Sequence, residues 1–198
     1  MEETVVSAPS KSSSKSRNVG IPSDTQKLFK LKDVKPEKHQ RISSKVDELN
    51  RVLGGGMMPG SVILIGGEPG IGKSTLLLQV TIKNPEKKII YVAGEESAAQ
   101  IKDRADRLGT ISDNCQISTE LTVELLNEQL KKERPDLIIV DSIQTLQSQN
   151  LESIPGTISQ IRESAYQLIN MAKYLNVPLF LVGHITKSGN IAGPKILE

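Results

Sequence analysis

The sequence predicts an α/β fold, a central, mostly parallel β-sheet flanked by helices, and three observations carry that reading. Short apolar runs recur at 62–65, 89–92, 137–140 and 177–182. Segments with helical apolar spacing lie between them, and strands that alternate with amphipathic helices build parallel β-α-β units. The turn Gly67-Glu68-Pro69-Gly70-Ile71-Gly72-Lys73-Ser74-Thr75 joins the first run to the helix-forming Leu76-Leu77-Leu78-Gln79-Val80. Its spacing fits G-x-x-x-x-G-K-[ST], in which glycines let backbone N–H groups curl around a phosphate at a helix N-terminus. The chain is therefore read as nucleotide-binding.

Taken in order, residues 1–26 are rich in Ser, Lys and Pro without an apolar period, so they are expected to be a disordered tail or linker. Residues 27–198 are expected to form the core. Alternation at 29–34 is short, and a short amphipathic helix is expected over 45–53, stopped by Gly54-Gly55-Gly56. The run 62–65 suits a central strand covered on both faces. A second buried strand spans 88–93, followed by Gly94-Glu95-Glu96 and by Ser97, a good N-cap for a helix to Leu108. A short strand at 116–118 precedes a helix over 123–132 that stops before Pro135. The strand 137–141 ends in a carboxylate, Asp141. Ile158, Ile161, Ala165, Leu168, Ile169, Ala172 and Leu175 mark a long amphipathic helix over 157–175. The last clear strand, 177–182, leads into Gly183-His184-Ile185-Thr186-Lys187.

Composition narrows the class. The chain has 198 residues and 37% hydrophobic content, enough for one sizeable core. Its net charge of +2 divides into 11 Lys/Arg against 7 Asp/Glu in residues 1–60 and 14 against 16 in residues 61–198, too even to imply nucleic acid by itself. Cys115 is the single cysteine, which excludes an intrachain disulfide and a multi-cysteine zinc site and suits a reducing compartment. It reads as a packed residue. No apolar run is long enough for a membrane span, and Glu2 and Glu3 precede any apolar segment, so a cytoplasmic protein without a signal peptide is expected.

In an open parallel sheet, ligands bind beyond the carboxyl ends of the strands. Lys73 is expected to reach the β- and γ-phosphates of ATP, and Ser74 and Asp141 to hold Mg²⁺. Residue 142 is Ser, so no acidic pair follows that strand, and a base must come from elsewhere. Glu95 and Glu96 are placed to orient or deprotonate a water, Glu95 the better candidate, Glu96 equally readable as a helix-end acid. His184 and Thr186 follow a strand expected between the phosphate-loop strand and the Asp141 strand, where a polar side chain can sense the γ-phosphate.

With these pieces in place the chain resembles the RadA (Sms) family of bacterial DNA-repair ATPases, relatives of RecA and of DnaB-type hexameric helicases. The resemblance runs from about Leu31 to Glu198. It rests on Asp47-Glu48-Leu49-Asn50-Arg51-Val52-Leu53-Gly54-Gly55-Gly56, Pro59-Gly60-Ser61, the phosphate loop, Gly94-Glu95-Glu96-Ser97 with Gln100-Ile101-Lys102, and Asp141-Ser142-Ile143-Gln144-Thr145. Ser159-Gln160-Ile161-Arg162-Glu163, Gly183-His184-Ile185-Thr186-Lys187 and Ile191-Ala192-Gly193-Pro194-Lys195 complete it. The resemblance implies a RecA-like core, ATP hydrolysis coupled to single-stranded or branched DNA, branch migration, a homo-oligomeric and hexameric ring, and a recombinase partner, RecA. It makes Lys187 and Lys195 candidate DNA-phosphate contacts. The family's four-cysteine zinc module, its later lysine- and arginine-bearing motif and its Lon-protease-like domain have no counterpart here, so an ATPase-core fragment without zinc is expected. Lys45 stands where relatives carry Gly, which puts the local turn geometry in question. Two other readings stay open: a nucleotide-binding regulatory or assembly module with little or no hydrolysis, and a small-molecule kinase, for which no lysine- and arginine-rich lid follows Asp141.

Overall fold

The computed structural model describes residues 40–184, together with Lys32. The chain divides into two units, Met1–Lys38 and His39–Glu198. The elements of the second unit run α1 (Asp47–Val52), β1 (Val62–Gly67), α2 (Lys73–Lys83), β2 (Ile89–Ala93), α3 (Ala98–Leu108), β3 (Cys115–Ser118), α4 (Val123–Glu133), β4 (Leu137–Asp141), a 3₁₀ turn (Ile143–Thr145), α5 (Ile158–Leu175) and β5 (Leu179–His184). The five strands form one sheet in the order β1-β5-β4-β2-β3, and every pairing is parallel. All strands therefore end at the same edge, which gathers Gly67, Ala93, Asp141 and His184 there.

The apolar runs explain the layers. Successive strand residues point to opposite faces. Ile90, Val92, Ile138, Val140, Leu179 and Leu181 accordingly pack under α4 and α5. Their neighbours Ile89, Tyr91, Leu137, Ile139, Phe180 and Val182 pack with Leu77, Leu78 and Val80 of α2 and Ile101 and Ala105 of α3. Burying a side chain of this size is worth about 1.5–3 kcal/mol. Strands β2 and β4 are buried along their whole length, so they read as unbroken apolar runs rather than alternating ones.

Two expectations need correction. The phosphate-loop strand is not central among the described residues: β1 pairs only with β5, at one end of the sheet, and Val62–Ile65 are half-buried. Its two faces are nevertheless covered, Val62 and Leu64 by one core and Ile63 and Ile65 by the other. A doubly apolar run reports covered faces and says nothing of lateral position. The last strand also begins two residues later than its apolar run. Asn176, in a left-handed conformation, closes α5, and Pro178 lacks the N–H a ladder needs, so pairing starts with Leu179 N–H donating to the Ser61 carbonyl at 2.9 Å.

Helix ends follow local rules. Ser97 and Gln100 form a capping box at the start of α3, in keeping with the N-cap preference of serine. The short helix α1 sits where the sequence places it, trimmed at both ends. Just before it, Lys45 takes φ +58°, a left-handed conformation that costs a side-chain-bearing residue on the order of 1 kcal/mol. The question raised by lysine in place of glycine is thus answered by strain, held in part by the Asn50 side chain, which accepts from Ser44 N–H and Oγ at 2.8 Å each. The tail 1–26 and the segment 29–34, apart from Lys32, lie outside the described residues.

Candidate active site

The phosphate loop begins at Gly67, the last residue of β1, and ends at Lys73, the first of α2. Gly70 and Gly72 take φ +83° and +99°, values that favour glycine, and the first turn of α2, which follows directly, carries N–H groups with no partner inside the helix. Glu68, Pro69 and Ile71 are exposed on the loop, while Lys73 is buried at its base; Ser74 and Thr75 are half-buried in the first turn. The Lys73 ammonium donates to the carbonyls of Gly67 and Glu68, at 2.8 Å each. It also lies 3.2 Å from His184 Nδ1. An ammonium has only protons to give, so Nδ1 accepts, and in the neutral ring the hydrogen sits on Nε2.

That Nε2 faces the second strand end. It lies 2.6 Å from Glu95 Oε1, an approach too oblique to count as a hydrogen bond. The Ser142 hydroxyl donates to the same Oε1 at 2.5 Å. Lys73 at the start of α2, His184 at the end of β5, Glu95 just beyond β2 and Ser142 just beyond β4 thus form one continuous row. Asp141 is 9% exposed, and the buried Tyr91 hydroxyl donates to its Oδ2 at 2.6 Å. Burial, and then the neighbouring Asp141 carboxylate, push the Tyr91 hydroxyl well above the usual phenol range, so it stays a donor. Glu96 points elsewhere: its carboxylate is paired with Arg104 of α3 at 2.6 Å. That pairing occupies Glu96 with the helix behind it and leaves Glu95 as the carboxylate nearest the loop lysine's row.

The backbone fixes these positions. Ala93 and Asp141 are partners in register, and Gly94 N–H donates to the Asp141 carbonyl at 2.8 Å, so the residues after β2 and β4 leave the sheet side by side. Thr145 folds back over them, its hydroxyl donating to the Ser142 carbonyl at 2.8 Å. A Cβ on Gly94 would sit 1.9 Å from Thr145 Oγ1, which is why the residue before Glu95 is glycine.

The donors fit nucleotide and magnesium. Hard oxygen ligands suit Mg²⁺, which is ordinarily held by one or two protein oxygens with phosphates and water, and the Asp141 carboxylate and Ser74 hydroxyl are oxygens of that kind. Among the described residues no cluster of three or more His, Cys, Asp or Glu forms a metal cage of its own. Cys115, half-buried at the start of β3, has its thiol pushed up to about 11 by burial, in keeping with a packed residue. A cleft of about 790 Å³ between α2, α3 and β3 contains none of the loop residues, so the site is located by its chemistry and not by concavity. Thr186, Lys187 and Lys195 lie outside the described residues.

Tyr91 and Ser142 are the site residues that sequence reasoning missed. Tyr91 carries one available signal, a hydroxyl in an otherwise aliphatic buried strand; Ser142 shows in the sequence only as an absent acid.

A parallel sheet with a glycine-rich loop, a loop lysine and a strand-end aspartate defines a P-loop α/β protein of the RecA-like type. Residues 25–190 match the AAA domain family, and the chain belongs to it. It is 45% identical over 185 residues to the DNA repair protein RadA of Streptococcus pyogenes serotype M6, an alignment covering 93% of this chain and 41% of that protein. It is 48% identical over 172 residues to the DNA repair protein RadA of Aquifex aeolicus (86% and 39%) and 45% identical over 193 residues to that of Listeria monocytogenes (96% and 42%). The chain therefore spans about two fifths of the length of these relatives.

Proposed function

We propose that this chain is the ATP-binding and hydrolysing, DNA-dependent ATPase core of a recombination and DNA-repair motor that promotes branch migration. The observation that carries the reading is the row from Lys73 through His184 to Glu95, with Asp141 beside it, all at the carboxyl edge of one parallel sheet. The kinship with relatives named for DNA repair supports the DNA part of it.

In this reading the loop N–H groups and Lys73 hold the β- and γ-phosphates, and Ser74 and Asp141 hold Mg²⁺. Bound magnesium neutralises charge on the phosphate oxygens. Glu95 accepts a proton from the attacking water and orients it in line with the γ-phosphorus. His184 stands between Lys73 and Glu95, where it registers displacement of the lysine toward phosphate. Lys187 and Lys195 contact DNA phosphates, the assembly is a homo-oligomeric, hexameric ring, RecA is the partner recombinase, and the compartment is the cytoplasm. Among the described residues no helix is long and apolar enough to cross a membrane.

The test is ATP turnover with and without single-stranded DNA. The reading expects stimulation by DNA that Lys73→Ala abolishes. Turnover indifferent to DNA would overturn the motor reading, and ATP binding without turnover would favour a nucleotide-binding module with little or no hydrolysis.

A further inference from the structure

Resting on the reading of Glu95 as the base, we infer that Ser142 is its positioning residue, and that it fixes which carboxylate oxygen does the work. The Ser142 hydroxyl, 0% exposed, donates to Glu95 Oε1 at 2.5 Å. His184 Nε2 faces that same Oε1 at 2.6 Å. Among the described residues no hydrogen bond or ion pair is made to Oε2. One oxygen is therefore anchored by the Ser142 hydroxyl, with His184 Nε2 close beside it, and the other is left to take the water's proton.

The anchor is built on rigid parts. Ser142 follows the last residue of β4 directly, and its carbonyl is held by Thr145 Oγ1 at 2.8 Å and Thr145 N at 3.3 Å. Gly94, one residue before Glu95, is tied to the Asp141 carbonyl. The Glu95 side chain itself is 40% exposed. An exposed glutamate has free rotamers, and holding it in one of them shortens the search for an attack geometry; misplacement by about 1 Å can cost about 100-fold in rate. A second glutamate or aspartate at 142 would repel Glu95, whereas a hydroxyl restrains it without adding charge.

The arrangement has a mirror one residue away. Tyr91 of β2 donates to Asp141 of β4, and Ser142 beyond β4 donates to Glu95 beyond β2. The two strands exchange one hydroxyl each, so each carboxylate is held at one oxygen and offers the other.

The experiment is a double-mutant cycle of Ser142→Ala and Glu95→Gln, reading kcat for ATP at saturating single-stranded DNA and, separately, the Kd of a non-hydrolysable ATP analogue. Ser142→Ala is expected to lower kcat about 10- to 100-fold, as removal of an orienting partner does, and to leave Kd unchanged. Ser142→Thr, which keeps the hydroxyl, is expected to recover most of the rate. In the Glu95→Gln background Ser142→Ala is expected to cost nothing further, because the only group it acts through is gone. An unchanged kcat in Ser142→Ala, a weakened Kd, or a loss that adds fully to that of Glu95→Gln would overturn the inference. If Glu95→Gln itself turns over at the wild-type rate, the failure belongs to the assignment of the base and not to Ser142.

Discussion

The phosphate loop and the paired ends of β2 and β4 lie at one edge of the sheet but are made in opposite ways. The loop is a backbone device: its shape comes from Gly70 and Gly72 at positive φ, within one short run of consecutive residues. The β2/β4 end is a side-chain device, in which Tyr91 grips Asp141 and Ser142 grips Glu95 across 50 and 47 residues of sequence. Backbone devices are written locally and tolerate change in the side chains around them. Cross-strand devices depend on register, and a single lost hydroxyl leaves a carboxylate loose or a buried oxygen short of a partner.

Apart from loss of the base itself, the largest effect should come where the two devices meet. Lys73→Ala removes the group that both closes the loop and touches His184, and a fall in kcat of about 10²- to 10³-fold is expected for loss of one preorganised donor, with weaker ATP binding in the same variant. A Lys73→Ala protein with near-normal turnover would break the comparison at its junction.

Tyr91→Phe isolates the cross-strand device. It deletes one oxygen inside a buried strand and frees the Asp141 carboxylate to rotate. With Asp141 as the proposed Mg²⁺ ligand, the Mg²⁺ concentration for half-maximal turnover should rise about 10-fold, the usual cost of losing an outer partner of a metal ligand. Titration of activity with Mg²⁺ checks it, and an unchanged midpoint would show that Asp141 needs no such hold.

The smallest effect is Lys45→Gly, which applies the backbone rule away from the site. With φ at +58° the lysine is strained, and glycine should stabilise the fold by roughly 0.5–1 kcal/mol after its own entropic cost. Urea unfolding would detect this, and a net loss of stability would mean that the Lys45 side chain contributes more than its backbone costs.

The same contrast governs what is legible in the sequence. The loop, the strand ending in Asp141, the Ser97 cap and the place of β5 between β1 and β4 are legible because each follows from residues close together or from a rule of parallel topology. Glu95 is legible as a carboxylate after a strand. Its partner is not, because Ser142 shows only as a missing acid, and its role needs the Ala93–Asp141 register. The contact of Lys73 with His184 spans 111 residues and depends on β1 lying next to β5. The edge position of β1 escapes the sequence because an apolar run on both parities reports two covered faces, not neighbours on both sides.

The central claim is that Glu95 is the base and the loop merely the grip. It is tested most directly by single-turnover hydrolysis of ATP by Glu95→Gln alongside its ATP affinity, in the presence of single-stranded DNA. The account predicts ATP bound as tightly as in the wild type and cleaved about 10²- to 10⁴-fold more slowly. Cleavage at the wild-type rate would contradict it.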